Sequence, residues 1–516
     1  MDKKTIFYLL IIIIIAGFFR LANLKSIPPG LYPDEAMNGN NALSALENRD
    51  FKVYYPENNG REGLFINIQA LFLKFFLKFY QYPQAWMLRI VSALFGILTV
   101  LGLFFLTKEL FNEKIALFSA LFLSFNFWHV NFSRIGFRAI MVPFLLVWSF
   151  YFLLKGMKGA KIFHVIFSGL IFGLGFHTYI AFRMAPLIAL IILIFQFINY
   201  RKNNQLKSFW KLAIIWMIFV ILAALPIMIY FLKNPQDFMG RATQVSIFEK
   251  PNPFWEFIKS FVKTLTMINF FGDCNWRHNF ACKPQLDFIL GFFFLVGLYQ
   301  IIKEFKNKNF DFPYLFIILW FFLMTLPVAF TYEGVPHALR SISMIPPTLI
   351  LSGFGAYSFS EFLKNLFQTK KICLFLLFLI AVALIVNYRS YFIEWAKNQN
   401  TYYAFNGNYY EIGQYLNQLP KDYPKIIVVN ASGVLVNKIP MPAQTVMFVT
   451  NTYLEKNQKD KNIIYLLPDQ LNVLSQFSGF VLIPLEKDEQ IKNEIFQLFP
   501  SISFKDYSHF WLFQSQ

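Results

Sequence analysis

The apolar stretch KLAIIWMIFVILAALPIMIYFL, residues 211–232, decides the fold class of this chain. After its leading lysine it carries no charge over a length that matches the roughly 20 residues an α-helix needs to cross a bilayer core. Further stretches of similar character lie at 5–23, 88–106, 114–130, 137–154, 162–179, 182–199, 285–302, 313–330, 341–360 and 372–388. We therefore predict an α-helical polytopic membrane protein with about eleven transmembrane helices, the first of which is a retained anchor.

The composition of the whole chain points to the same class. Of its 516 residues, 56% are hydrophobic and only 15% are charged, and 67 are Phe. Since a soluble domain carries about 25% charged residues, this chain has too few to coat one, and disordered, coiled-coil, collagen-like and disulfide-scaffold proteins are excluded as well. A net charge of +18 would suggest nucleic acid in a soluble protein. In this chain we expect the positive charge to reflect membrane topology, and we expect no nucleic-acid partner.

The distribution of basic residues predicts an orientation. The N-terminal segment and the alternate loops (107–114, 155–161, 200–211, 303–311 and 361–371) hold 17 Lys and Arg, whereas the short loops on the other face hold four. Because basic loops stay in the cytoplasm, we predict a multi-pass protein of the cell membrane with a cytoplasmic N-terminus and an external C-terminal segment.

Three segments on the predicted outer face are too long to be simple connections: 24–87, 233–284 and 390–516. The first two contain amphipathic stretches, at 63–80 and 253–271, that are typical of interfacial helices. In the third, charges become frequent and four apolar runs of strand length appear, at 426–430, 446–450, 463–468 and 479–485. We predict a transmembrane domain over 1–389 and an extracytoplasmic α/β domain over 390–516.

The sharpest motif of the first outer segment is YPDEAMNG, residues 32–39, in which Pro33 precedes Asp34 and Glu35. One interpretation is a helix N-terminus, where proline is tolerated and acidic side chains favour the helix dipole. The other is a carboxylate held at the membrane surface to act as a general base or a cation ligand. The motif by itself leaves both interpretations open.

Other outer loops add acidic, basic, imidazole and phenol side chains. A single Arg or His at the end of a span is more often an interface anchor than part of a site. Several loops that bring such groups to one face, however, supply what an anionic lipid-linked substrate requires, namely Arg for phosphate and carboxylates for acid–base work. Arg340 is the strongest candidate for phosphate. The candidate substrate-binding residues are Glu62, Arg138, Tyr179, Arg183, Asp273, Arg277, His278, His337 and Arg340.

The first span, the Pro33-Asp34-Glu35 motif, the interfacial stretch and the run LRIVSALFGILTV at 88–100 resemble a family over roughly residues 1–200. The chain looks like the protein O-mannosyltransferase and aminoarabinose-transferase group, which are C-type membrane glycosyltransferases. The resemblance implies a GT-C-like fold and a polyprenyl-phosphate sugar donor. It makes Asp34 the catalytic base with Glu35 beside it, and maps a second loop carboxylate onto Glu62. The chain departs from the family at 61–64, which read Arg-Glu-Gly-Leu where members usually have His-Pro-Pro or Lys-Pro-Pro.

The resemblance implies inverting, base-assisted transfer of the sugar to an extracytoplasmic acceptor, which could be a protein, a lipid or a glycan. Since Asp34 and Glu35 are adjacent rather than spaced as Asp-x-Asp, we expect neither a metal nor another cofactor. Two alternatives stay open: a lipid or glycan transporter or flippase, and a ligase that uses a diphosphate-linked glycan donor. Cys274 and Cys282, eight positions apart, could form a disulfide or remain two thiols.

Overall fold

The computed structural model of the chain describes residues 1–308, 311–367, 371–477 and 479–515, and the side chains of 241–244 lie outside that description. Parts of two predicted cytoplasmic loops, 309–310 and 368–370, therefore fall outside the described residues. The chain divides into two compact units. The first, which we call the helical unit, comprises Met1–Ala22 and Ser92–Trp395. The second, the mixed unit, comprises Asn23–Val91 and the described residues from Ala396 onwards.

This division differs from the predicted boundary after residue 389, because the first outer segment belongs with the C-terminal segment. Leu43, Ile66 and Leu88 share one buried cluster with Phe448 and Val449. Since segments far apart in the sequence fill one hydrophobic core, composition along the chain did not reveal their association.

The helices follow one another along the chain. In order, the α-helices are α1 Lys3–Leu21, α2 Pro33–Asn48, α3 Gly63–Phe76, α4 Ala85–Leu110, α5 Glu113–Phe125, α6 Phe127–Phe132, α7 Met141–Lys158, α8 Ile162–Gly175, α9 Ala185–Lys202, α10 Leu206–Lys233, α11 Pro235–Gln244, α12 Pro253–Asn269, α13 Phe288–Lys306, α14 Phe312–Leu323, α15 Leu326–Ala329, α16 Ile345–Phe367, α17 Lys371–Tyr388, α18 Gln399–Ala404, α19 Gly407–Leu416, α20 Gln444–Thr450, α21 Glu455–Lys461 and α22 Glu489–Leu498. A π-helical segment, Arg389–Trp395, continues α17.

Nine helices among the described residues are long and apolar enough to cross a membrane. Their bounds, with short 3₁₀ extensions included, are Lys3–Leu21, Ala85–Leu110, Arg138–Lys158, Ile180–Lys202, Leu206–Lys233, Phe288–Lys306, Phe312–Ala329, Ile342–Phe367 and Lys371–Trp395. The two other predicted spans are shorter. The one at 162–179 ends at Gly175, and the one at 114–130 is divided at Asn126, whose side chain accepts a hydrogen bond from the His129 N–H. The polytopic helical fold is confirmed.

Close helix packing in the helical unit depends on small residues. A Cβ added to Gly355 of α16 would lie 1.8 Å from the Phe293 carbonyl oxygen and 2.7 Å from the Gly297 amide nitrogen of α13. At such distances only glycine lets the two backbones touch, as is common where apolar helices cross in membranes. Substitution of Gly355 by any larger residue would separate α13 from α16.

Two buried arginines of the helical unit cap helix ends. Arg20 donates hydrogen bonds to the carbonyls of Leu123 and Ser124 at the end of α5, at 3.0 and 2.7 Å. Arg134 donates to the carbonyls of Phe19 and Ala22, at 3.0 and 2.7 Å. Because the last carbonyls of a helix have no partner within it, these guanidinium groups satisfy what would otherwise be buried unpaired acceptors.

The mixed unit contains a five-stranded sheet of order β6-β3-β7-β9-β8. Its strand β3 pairs in parallel with β6 and β7, and β9 pairs antiparallel with β7 and β8. Buried clusters lie on both faces of this sheet. The remaining strands form two small hairpins, β1-β2 and β4-β5. The strands are β1 Tyr54–Tyr55, β2 Arg61–Glu62, β3 Lys425–Val428, β4 Leu435–Val436, β5 Ile439–Pro440, β6 Ile463–Leu466, β7 Val481–Pro484, β8 Ser503–Asp506 and β9 Trp511–Gln514.

The predicted α/β character of the C-terminal segment is confirmed, with one wrong element. Three of the apolar runs form β3, β6 and β7. The fourth, at 446–450, lies in α20 and is buried on all sides. A short apolar run that is buried all round has the same pattern in a strand and in a helix, so periodicity could not separate the two.

Candidate active site

The Pro33-Asp34-Glu35 motif begins α2, with Pro33 as the first helical residue and both acids in the first turn. The helix-start interpretation of the motif is therefore correct, and it does not exclude the catalytic one. Asp34 is half-buried, and its Oδ1 accepts a hydrogen bond from Asn58 Nδ2 at 2.8 Å. Asn58 was not singled out from the sequence, because only the fold brings the loop before β2 to the start of α2.

Glu35 lies in a different environment although it follows Asp34 directly. Its carboxylate accepts hydrogen bonds from Arg89 Nε at 3.0 Å and Nη2 at 3.1 Å, and both side chains are fully buried. Arg89 also donates to the carbonyls of Pro28 and Gly30. This ion pair attaches the start of α2 and the preceding loop to α4. Of the two adjacent acids, Asp34 is therefore the one whose carboxylate is partly accessible.

Arg61 and Glu62 lie on β2, next to the same helix. Arg61 donates to Asn38 Oδ1 at 2.7 Å and to Asn41 Oδ1 at 2.8 Å, and both of these residues are on α2. Glu62 is buried, pairs with Tyr54 across the hairpin and precedes α3. Arg61 thus fixes the hairpin to the helix that carries Asp34.

The helical unit contains a cavity of about 460 Å³ that we call the cationic cavity. It lies between the loop that follows α12 and the loop that precedes α16. Five of the predicted substrate-binding residues line it: Asp273, Arg277, His278, His337 and Arg340. The structure therefore brings together residues from two predicted outer loops.

The first of these loops is closed by a disulfide between Cys274 and Cys282. The sequence left open whether these cysteines form a disulfide or remain two thiols, and the structure contains the disulfide. Two backbone hydrogen bonds reinforce the closure, from Gly272 N to Cys282 O and from Cys282 N to Asp273 O, at 2.9 and 3.1 Å. Asp273 is consequently held on a rigid turn.

Asp273 connects the two loops of the cationic cavity. Its Oδ2 accepts a hydrogen bond from the Ala338 N–H at 2.8 Å and lies 3.1 Å from His278 Nδ1. The rings of His278 and His337 are 4.8 Å apart. Burial lowers the pKa of His278, and this effect outweighs the neighbouring Asp273 carboxylate, which acts in the opposite direction.

Arg340 lines a second cavity as well, of about 290 Å³, which we call the apolar cavity. Its guanidinium donates to Thr331 Oγ1 at 3.0 Å and to the Glu333 carbonyl at 2.8 Å. Tyr179 and Arg183 line the apolar cavity too, and the Arg138 guanidinium lies over the Tyr179 ring at 5.5 Å. Arg183 donates to the Phe238 carbonyl at 2.8 Å.

The predicted site residues thus fall into two groups. Asp34, Glu35 and Glu62 belong to the mixed unit, and the remaining residues belong to the helical unit, where Arg340 is shared by the two cavities.

One set of side chains within the described residues could offer ligands to a cation. Atoms of Asp273, His278 and His337 lie within 4.8 Å of one another. The same cavity, however, is lined by the guanidinium groups of Arg277 and Arg340, and the Asp273 carboxylate already accepts backbone hydrogen bonds. Three basic residues, Lys263, Arg277 and Arg340, line the cavity together with two acidic ones, Asp273 and Glu333, and this excess of positive charge favours an anion over a divalent cation.

Comparison with known proteins agrees with the resemblance predicted from the sequence. A family model described as dolichyl-phosphate-mannose-protein mannosyltransferase matches residues 68–230. No curated protein sequence matches the chain significantly.

Solved structures show the fold. ArnT from Cupriavidus metallidurans, in the apo state, has a TM-score of 0.58 at 11% identity over 99% of this chain and 97% of its own. The Archaeoglobus fulgidus oligosaccharyltransferase has a TM-score of 0.51 at 13% identity over 88% of this chain, which spans 63% of that protein's length. The arabinofuranosyltransferase AftD from Mycobacteria has a TM-score of 0.51 at 11% identity, and the chain spans 40% of its length. The chain has the fold of the C-type membrane glycosyltransferases, the class to which the sequence was assigned.

Proposed function

We propose that the chain is a membrane glycosyltransferase that moves a sugar from a polyprenyl-phosphate donor to an acceptor outside the cytoplasm. One observation carries the proposal: five residues that the sequence singled out for an anionic substrate line one cavity, the cationic cavity. Two fold neighbours support the class of donor, since ArnT has been solved bound to undecaprenyl phosphate and the archaeal enzyme AglB with a dolichol-phosphate.

The cationic cavity suits the phosphate of the donor. Arg277 and Arg340 line it, and a guanidinium forms charge-assisted, often bidentate hydrogen bonds with phosphate oxygens. Arg277 is oriented by Asn275, whose Oδ1 accepts from the Arg277 backbone N–H and from Nε. When the bond between C1 and the phosphate oxygen breaks, negative charge develops on the phosphate, and the two arginines stabilise it.

The apolar cavity suits the start of the polyprenyl chain. Besides its polar residues it is lined by Ala181, Met184, Pro327 and Phe330. Because Arg340 lines both cavities, a lipid phosphate bound by Arg340 would have the apolar cavity next to it. This arrangement fits a single amphiphilic donor better than a soluble nucleotide sugar.

The proposal assigns the general base to Asp34. Its carboxylate accepts the proton of the acceptor hydroxyl while that oxygen forms a bond to C1 and the lipid phosphate leaves with its electron pair. Such in-line displacement with a single base inverts the anomeric centre. Asn58 orients the Asp34 carboxylate, and the buried Glu35–Arg89 pair fixes the first turn of α2, which carries it.

The proposed membrane orientation rests on the excess of Lys and Arg in the predicted cytoplasmic loops. This excess predicts that the C-terminal segment lies on the outer side, and we propose that the acceptor binds on that side. The acceptor is a protein, a lipid or a glycan. Since the arginines supply the positive charge, the proposal requires no metal.

The experiment is reconstitution into liposomes with a radiolabelled polyprenyl-phosphate sugar and a panel of acceptors. We expect Arg340→Ala to weaken donor binding roughly tenfold or more, because charge-assisted hydrogen bonds to phosphate are lost. Arg340→Lys keeps the charge and should lose less. Arg389→Ala, which removes an exposed arginine paired with Glu394, is the matched control. Unchanged donor affinity in Arg340→Ala, or lipid translocation without sugar transfer in the wild type, would contradict the proposal.

A further inference from the structure

One end of the helical unit carries five exposed basic side chains that the proposed function does not use. They belong to two of the predicted cytoplasmic loops, 155–161 between α7 and α8 and 200–211 between α9 and α10. We call this group the basic surface. Its members are Lys161, Arg201, Lys202, Lys207 and Lys211.

The fold attaches the two loops to each other. Helix α8 packs against both α7 and α10, and the Tyr200 hydroxyl in the last turn of α9 donates a hydrogen bond to the Met157 carbonyl in the last turn of α7. The Tyr200 ring also packs against Phe209 in the first turn of α10, with the ring centroids 6.0 Å apart. The cations of both loops therefore lie on one surface.

The charge of these two loops differs from that of the other predicted cytoplasmic loops. Together they contain seven Lys and Arg and no Asp or Glu. Each of the other three loops contains at least one acid, and Lys108–Glu113 and Lys364–Glu361 form ion pairs there. The positive-inside distribution is a bias of Lys and Arg to which Asp and Glu contribute little. Membrane topology therefore does not account for the absence of acids from these two loops.

The remaining two of the seven cations already have partners. Lys155 donates to the Tyr151 hydroxyl at 2.7 Å, and Lys158 pairs with Glu109 at 3.3 Å. The five members of the basic surface have no acidic partner within the part of the chain that the structure describes. Because neighbouring like charges repel, this surface favours an anionic partner from outside the chain.

The surroundings of the basic surface indicate a lipid as that partner. Lys207, Lys211, Ile214 and Ile218 follow one face of α10, since residues three or four positions apart are neighbours on a helix. Both isoleucines are exposed, and α10 is a candidate membrane span. Trp210, which is 54% exposed, lies beside Lys207 on the same helix. Because Trp at the end of a span prefers the membrane–water interface, these cations are at the level of the lipid phosphates.

We propose that the basic surface binds the headgroups of anionic phospholipids in the leaflet that it faces. Their phosphates contact the Lys and Arg side chains, and their acyl chains follow the exposed apolar face of α10. The attraction of several cations to an anionic leaflet adds up and is screened by salt. A phosphatidylcholine headgroup carries its own cation beside the phosphate, so it is the weaker partner.

The test uses the full chain reconstituted into phosphatidylcholine bilayers with a trace of spin-labelled phosphatidylglycerol or spin-labelled phosphatidylcholine. Electron paramagnetic resonance measures the fraction of each lipid that the protein immobilises, which gives their relative association constant. For the wild type at low salt, we expect phosphatidylglycerol to be preferred about threefold. The preference should fall towards one in roughly 1 M NaCl, where the Debye length is only about 3 Å.

A quadruple variant removes most of the basic surface and should lose most of this preference: Arg201→Gln, Lys202→Gln, Lys207→Gln and Lys211→Gln. The matched control changes the net charge equally in loops that contain acids, and it should keep the wild-type preference: Lys303→Gln, Lys306→Gln, Lys364→Gln and Lys371→Gln. Lys207→Gln/Lys211→Gln, a milder change on one helix, should have an intermediate effect, so a misfolded quadruple variant would not end the test.

Equal association of both lipids with the wild type at low salt would overturn the proposal. So would an equal loss in the two quadruple variants, because the preference would then follow net charge alone. The bilayer contains no sugar donor, and every variant retains Arg277 and Arg340. The outcome is therefore independent of the transferase proposal.

Discussion

Glu35 and Arg89 form a buried ion pair in which both carboxylate oxygens accept hydrogen bonds from the guanidinium, at 3.0 and 3.1 Å. The pair lies one residue beyond Asp34, so it sets the position of the carboxylate that we propose as the base. The two adjacent acids therefore lie in different environments: Glu35 is buried and holds α2 in place, whereas Asp34 is half-buried and is the one we propose as the base.

The Glu35–Arg89 pair should contribute strongly to stability. We expect Arg89→Met to destabilise the protein by about 3–5 kcal/mol, because Glu35 is left as an unpaired buried charge. The double variant Glu35→Gln/Arg89→Met should recover part of that loss. Denaturant unfolding in detergent measures both. Lys52→Met, which removes an exposed pair with Asp50, should change stability by less than about 1 kcal/mol. An effect of Arg89→Met as small as that of Lys52→Met would refute this role.

The disulfide should hold the first loop of the cationic cavity in its binding shape. Cys274→Ala/Cys282→Ala is expected to lower stability by about 2–4 kcal/mol and to weaken donor binding, since Arg277 lies within the closed loop and Asp273 directly precedes it. Thermal unfolding and donor-binding measurements check the two effects. Cys373→Ala, at an exposed free thiol, should change neither. Full donor affinity after loss of the disulfide would show that the loop does not need it.

His278 should make the protein less stable in mild acid. Because burial lowers its folded-state pKa below 6.5, the unfolded chain binds a proton first as the pH falls. Stability is therefore fully present above pH 6.5 and decreases as the pH falls from there towards the folded pKa. The melting temperature of His278→Gln should depend less on pH in this range. His509→Gln serves as the comparison, and identical pH profiles for wild type and His278→Gln would contradict the assignment.

Much of the fold could be predicted from the sequence, because long apolar runs flanked by basic residues leave few alternatives to membrane helices. The exceptions have local causes. Asn126 divides one predicted span by capping α6, and the short run at 446–450 fits a buried helix as well as a strand. The strands β8 and β9 were missed, because their runs are short and mixed in character.

The sequence could predict which residues contribute to the candidate site, but not which of them lie next to one another. Acidic, basic and imidazole side chains in the predicted outer loops could be counted, and five of them do line one cavity. The partners that distinguish Asp34 from Glu35 could not be seen, because Asn58 and Arg89 are 24 and 54 positions away and reach the motif only through tertiary packing. The catalytic and binding roles themselves stay predictions.

The most direct measurement for the central claim is sugar transfer from a polyprenyl-phosphate donor by Asp34→Asn in liposomes. The variant keeps the size of the side chain and a partner for Asn58, so it should fold normally and bind the donor like the wild type. We predict that the rate of transfer falls about 10²–10⁴-fold, because the acceptor hydroxyl loses its base. Asp50→Asn, at an exposed position of the same unit, should transfer at the wild-type rate. Wild-type transfer by folded Asp34→Asn would contradict the account.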